Sequence, residues 1–271
     1  MGPMRISLRR LARLVTLTAA GGFAALSLIA CGNGSTHSAQ AATNAEDLSA
    51  QLSANDAALR EAIDGWRGAG DPPTGPPPDE VVAPARFLEE AARVLAAHPN
   101  LATATFDLLP AALASEVREL TQAARDLRKL SGGARPRKLK TAPPKPLADL
   151  VGYYGAARER YAIGENYLAA IHLVESKFGR VKSNSVAGAK GPMQFIPSTW
   201  RIYGMGGNIK DDHDAILAAA NLLRDSGAPR SYDRALYSYN PSRLYVGAVQ
   251  RYAKLIVRDP HALYFLYCWE P

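Results

Sequence analysis

The stretch Tyr167-Leu168-Ala169-Ala170-Ile171-His172-Leu173-Val174-Glu175-Ser176-Lys177-Phe178 sets the class of the fold. Tyr167, Ile171, Val174 and Phe178 fall at i, i+4, i+7 and i+11, which predicts a single apolar stripe along an α-helix. Glu175 follows Val174 directly, so it borders that stripe near the C-terminal end of the predicted helix. A carboxyl in that position is partly desolvated, which disfavours its charged form, and the negative end of the helix dipole pushes the same way. Both effects favour a proton retained near neutral pH, as a general acid requires. Standing alone, a glutamate at a helix edge is ordinarily a solvated or salt-bridged residue.

Working outward toward the C-terminus, the pattern stays helical. Asp211 and Asp212 suit the start of a helix with core positions Ile216, Ala219, Ala220 and Leu223, ended by Gly227 and Pro229. A shorter helix over about Tyr232 to Tyr239 must stop before Asn240-Pro241. Tyr245, Val249, Tyr252 and Ile256 mark a last helix. No alternating pattern of confident length occurs, so the expected class is all-α. Cys268 lies in an apolar tail, Ala262 to Trp269, where a small buried hydrophobe is the expected role.

Toward the N-terminus the organisation changes. Residues 46–130 read as a helical accessory segment. Leu52, Leu59, Ile63 and Trp66 form one helix up to Gly68, and a Pro-rich break at 71–84 precedes a short helix through Phe87, Ala91 and Val94. Leu113, Val117, Leu120, Ala124 and Leu127 are spaced 4, 3, 4, 3 and draw an apolar seam that must pack on a neighbour. Residues 131–147 carry four prolines and five basic residues without an acid, and read as a basic Pro/Gly linker to a domain at 148–271.

At the chain start, Arg5 to Arg13 precede an apolar run from Leu14 to Ala30, and Leu28-Ile29-Ala30-Cys31 places small residues before a cysteine. This is similar to a lipoprotein signal peptide, 1–30, cleaved so that Cys31 becomes the lipidated first residue, with residues 31–45 a flexible tether. The expected location is the extracytoplasmic face of the cell membrane, with the membrane itself a partner through Cys31. With Cys31 acylated, Cys268 has no intramolecular partner and no disulfide is expected. The formal charge of +7 falls to +3 without the four leader arginines, too mild a balance to indicate nucleic acid. The five histidines are scattered and no phosphate loop occurs, so metal, redox and cofactor roles have no support, and neither a cofactor nor a metal is expected. His172 and Glu175 lie three apart on the helix, a metal edge by spacing, but no third ligand is nearby in sequence and a hydrogen-bonded histidine is the expected reading.

Three motifs carry the chemistry: Glu175-Ser176, then Gly188-Ala189-Lys190-Gly191-Pro192-Met193-Gln194-Phe195-Ile196-Pro197, then Ser238-Tyr239-Asn240. In this order they resemble the lytic transglycosylases, enzymes of lysozyme-like (goose-type) helical fold. The family's Glu-Ser, Gly-x-x-Gly-x-Met-Gln-x-x-Pro and Ala-Tyr-Asn align over about Tyr161 to Ile256. The match departs at Ser238, at Pro192 where an apolar residue is usual, and at Pro241-Ser242 where Ala-Gly is usual. Gly-Pro-Met-Gln with Pro-Ser-Thr-Trp is similar to exported lipoproteins of actinobacterial, high-GC type.

The resemblance implies that Glu175 is the catalytic acid/base. It also implies that Ser185, Gly191, Met193, Gln194, Tyr239 and Asn240 bind substrate, the glycan strands of peptidoglycan. Gly188 and Gly191 would admit a sugar face, Gln194 would bond an N-acetyl group, and Tyr239 would supply an aromatic face and a hydroxyl. Core packing is an equal reading for Met193, and a helix-ending turn for Asn240. The expected reaction cleaves the bond from N-acetylmuramate to N-acetylglucosamine and leaves 1,6-anhydro ends, with one carboxyl where hydrolysis normally uses two. A goose-type muramidase using Glu175 with water, and a non-catalytic glycan-binding lipoprotein, are the alternatives. Residues 46–147 are candidates for contacts with cell-wall or division proteins.

Overall fold

The seam on residues 113–127 needs a partner, and the partner is the last long helix. In the computed structural model, which describes residues 44–132 and 139–271, α4 (Ala111–Leu130) packs along α10 (Arg243–Arg258) more extensively than any other pair of helices meets. The seam's Leu113, Val117 and Leu120 are buried, and they share one continuous core with Val246, Val249 and Ala253 of α10. The leader and Cys31 lie outside the described residues. Among the described residues no helix is long and apolar enough to cross a membrane.

Around this pair the N-terminal helices form one layer. α1 (Ala45–Arg67) starts at Asn44, whose side chain accepts the Asp47 N–H, and lies against α2 (Asp79–Ala97) and α3 (Pro99–Leu108). The Pro-rich break is shorter than its prolines suggest. It ends at Pro78, and Pro84 sits inside α2, in its second turn, where it leaves out the one N–H that would otherwise bond the Glu80 carbonyl. Arg60 on α1 joins three elements through carboxylates at 2.8 to 2.9 Å: Asp56 on its own helix, Glu116 of α4 and Asp259 after α10.

The second layer is built from α5 (Leu147–Tyr161), α6 (Glu165–Ser176), the short α7 (Pro197–Tyr203), α8 (Asp212–Asp225), α9 (Tyr232–Tyr239) and the closing α11 (Ala262–Tyr267). α8 begins at Asp211, whose carboxylate caps the Asp214 N–H, and α6 packs on α5, α8 and α10. Apolar side chains from α1 to Trp269 belong to a single cluster, so the two halves of the chain share one interior. Among the described residues there is no strand, only antiparallel bridges at Thr141–Val181 and Lys190–Phe195. The first of these fixes the end of the basic linker: Lys182 N–H reaches Lys140 O at 2.8 Å and Ala142 N–H reaches Arg180 O at 3.0 Å. Cys268 is buried, its thiol pushed up to about 12 by burial and pointed at Tyr264 O. It is a packing residue rather than a nucleophile.

Candidate active site

α6 ends one residue beyond Glu175, and the chain then reverses through three consecutive residues with left-handed backbone: Lys177 (φ 53°), Phe178 (φ 57°) and Gly179 (φ 78°). Two of these are not glycine, and each such conformation is strained by roughly 1 to 3 kcal/mol. Packing and hydrogen bonds hold the turn. Phe178 is fully buried between His172 and Tyr267, and its N–H bonds His172 O. Phe178 therefore completes the predicted stripe from beyond the helix end. Gly179 is required because a Cβ there would lie 2.6 Å from Asp212 Oδ1.

Ser176 is the joint between the first motif and the second. Its buried hydroxyl donates to Pro192 O at 2.5 Å and accepts the Gly179 N–H at 2.8 Å. The second motif is a tight turn closed by paired backbone bonds between Lys190 and Phe195, both 2.9 Å, with Gln194 N–H on Gly191 O inside it. Pro192 suits the second position of such a turn, where its fixed φ is an advantage, so this departure from the usual apolar residue is locally favourable. Gly191 (φ 75°) abuts the Ile209 carbonyl, where an added Cβ would lie 1.7 Å from the oxygen. Close approach of the chain's own backbone thus explains this glycine without a sugar. Gly188 (φ 81°) has open space around it.

The other expected binding residues fall into distinct roles. The Met193 side chain is wholly in the core and cannot line a cleft, while its carbonyl accepts the Tyr239 hydroxyl at 2.6 Å. Gln194, in left-handed backbone, turns its amide N–H onto Gly191 O at 2.8 Å. Ser185 shapes its own loop, its hydroxyl accepting the Ala189 N–H at 2.9 Å. Asn240 caps the end of α9, is 1 % exposed, and leaves its Nδ2 without a partner. Pro241-Ser242 lead into α10 and place Tyr245 in that helix's first turn.

Tyr245 is the residue that periodicity hid. Its position marks a helix core, and it is indeed fully buried, but its hydroxyl donates to Glu175 Oε1 at 2.8 Å. The signal available in advance was chemical: a buried tyrosine hydroxyl needs an acceptor. Its ring lies parallel to that of Tyr239, with centroids 6.2 Å apart, and Tyr239 in turn meets Phe195 edge-on, which meets Trp200. This aromatic row forms a wall beside the carboxyl. Burial pushes Glu175 up to about 8, against the hydrogen bond from Tyr245, which favours the ionised form. No neighbouring carboxylate contributes to that rise.

The remaining acids are engaged at the start of α8. Asp211 Oδ1 takes the Asp214 N–H at 3.1 Å and Asp214 Oδ2 takes the Asn208 N–H at 2.8 Å. Asp212 is buried 3.4 Å from His172 Nε2, and His172 Nδ1 is bonded by the Tyr154 hydroxyl at 2.8 Å. Asp211, His213 and Asp214 bring ligand atoms within 4.8 Å of one another, but capping and loop bonds account for both carboxylates.

Comparison with known proteins bears on this region alone. Residues 152–255, from α5 to α10 and including Glu175, Gln194, Tyr239 and Tyr245, match the family model described as Transglycosylase SLT domain. No curated protein and no solved structure matches the chain.

Proposed function

We propose that the chain is a lytic transglycosylase of the lysozyme-like superfamily, a reading supported by the match of residues 152–255 to the transglycosylase SLT domain, and that Glu175 is the single acid/base that cleaves peptidoglycan to 1,6-anhydro ends. Its protonated carboxyl donates to O4, the oxygen bridging muramate C1 and C4 of N-acetylglucosamine, and the C1–O4 bond breaks. The muramate C6 hydroxyl then attacks C1, and its proton returns to Glu175. No water is consumed, and the carboxyl ends as it began. The hydroxyl of Tyr245 occupies Oε1, so the transferable proton belongs on Oε2, facing away from α10. Within the aromatic row, the partly exposed rings of Tyr239 and Trp200 supply an apolar face against which a sugar ring packs.

The observation that carries this reading is the isolation of the Glu175 carboxyl. It is raised by desolvation rather than by a second acid, and the acids of α8 are committed elsewhere. Hydrolysis with water normally calls on a second carboxylate, whereas intramolecular attack by C6 does not. Purified protein incubated with cell walls tests it. Muramate ends one water lighter than hydrolytic ends, and resistant to borohydride, are expected. Reducible ends would establish a muramidase instead, and binding without products would leave a glycan-binding protein.

We further propose that the enzyme works at the extracytoplasmic membrane face, tethered through lipid on Cys31. The support is the Leu28-Ile29-Ala30-Cys31 sequence after a basic and apolar leader.

A further inference from the structure

The face of α4 that turns away from the apolar seam carries its own pattern. Arg118, Thr121, Gln122 and Arg125 recur at i, i+3, i+4 and i+7, one polar stripe on the helix. Arg251 of α10 stands opposite the stripe and Phe106 of α3 closes one side, bounding a cleft of about 350 Å³. That is at the low end of small-ligand sites, which run from roughly 300 to 1,000 Å³. It shares no residue with the Glu175 site.

Of the arginines that line the cleft, Arg251 and Arg118 have carboxylates within 4 Å, whereas Arg125 pairs with no acid among the described residues. Three arginines face one acid, Glu119, and Glu119 is committed to Arg251 at 2.8 Å. Arg125 bonds neutral oxygens, Gln122 Oε1 at 3.2 Å and Ala96 O at 3.5 Å. Arg118 lies over the Phe106 ring, with Asp107 3.8 Å away. Two buried polar atoms of lining residues lack a hydrogen-bond partner. One is Thr121 Oγ1, on a residue 2 % exposed; the other is Arg251 Nε, whose nearest carboxylate oxygen, on Asp126, is 3.8 Å away. Both atoms lie behind the cleft wall, out of reach of its contents, so the donors it offers are the outer guanidinium nitrogens.

We propose that this cleft is a second binding site, for an oxyanion carried on a small organic group. The guanidinium of Arg125, with the outer nitrogens of Arg118 and Arg251, donates to its oxygens, and the apolar part rests on Phe106. A peptide carboxylate and a phosphate ester both present such oxygens, and the cleft lies where the accessory helices meet α10.

The test uses the intact protein, with thermal shift and calorimetry at constant ionic strength. Probes are acetyl-alanyl-alanine, its C-terminal amide, and inorganic phosphate, with chloride as control. Saturable binding of the free acid or of phosphate, without binding of the amide or chloride, is expected. The acid alone identifies a peptide source and phosphate alone a phosphate source. Arg125→Gln should weaken binding at least tenfold and Arg118→Gln about threefold, while Glu175→Gln binds as the wild type does. Equal response to acid and amide, response to neither oxyanion, or undiminished binding in a folded Arg118→Gln protein would overturn the assignment, even where Arg125→Gln fails to fold.

Discussion

Replacing Glu175 with glutamine should do two separable things, because the same burial that prepares the acid also destabilises the ionised protein. In the unfolded chain this carboxyl titrates near 4.5, and in the folded one at about 8. Between those values the unfolded state has released the proton and the folded state still holds it, so stability falls as pH rises through the interval. A tenfold change in acidity corresponds to about 1.4 kcal/mol, which sets a ceiling of about 5 kcal/mol. Because the residue is only half-buried, solvent screening reduces this to roughly 2 kcal/mol. Glutamine fills the same space and has no proton to lose. Thermal unfolding followed by circular dichroism should therefore find Glu175→Gln about equal to wild type at pH 4.5. At pH 9 it should be more stable by roughly 4 to 8 °C, taking 2 to 4 °C per kcal/mol for a chain of this size. Clearing of purified cell walls should fall about a thousandfold in the same variant. A melting difference that stays flat with pH, or shrinks toward alkaline pH, would show that burial does not raise this carboxyl and would remove the basis for calling it the acid.

Tyr245→Phe removes the one hydrogen bond that favours the ionised Glu175. The alkaline limb of the rate profile should move up by about one pH unit, and the rate at neutral pH should fall about tenfold from lost orientation, both read from wall-clearing rates across pH. Gly191→Ala forces a Cβ into the Ile209 carbonyl in left-handed backbone, so it should lower stability by at least about 3 kcal/mol in denaturant titration, with activity lost alongside. Cys31→Ala should abolish incorporation of labelled fatty acid and release the exported enzyme from membranes; absence of label on the wild type would dismiss the lipid anchor.

The helices were legible because their apolar periods are long and uninterrupted. The bounds of α9 coincide with the expected Tyr232 to Tyr239, since Asn240-Pro241 is an unambiguous stop. α3 and α7, ten and seven residues long, escaped notice for want of enough turns to show a period. At the site, the motif order pointed to Glu175, and its place at a buried helix end followed from spacing alone. The division of labour among Met193, Gly191 and Tyr245 did not. A main-chain carbonyl as the tyrosine's acceptor, a glycine demanded by a loop eighteen residues on, and a core tyrosine reaching back seventy residues to the acid are all tertiary facts. A one-dimensional pattern records residue types, not which backbone will approach them.

Lys177, two residues past the acid and in strained backbone, is gripped from outside the matched domain. Its ammonium meets Glu89 of α2 at 2.8 Å and lies 5.0 Å from the Trp269 ring centroid. Neither partner falls within residues 152–255. The unit that carries the recognisable motifs is therefore smaller than the unit that keeps them in working order. A graft of the motif-bearing segment alone would transport the reagent without its clamp, whereas changes in α2, far from any sugar, become a means of retuning the acid.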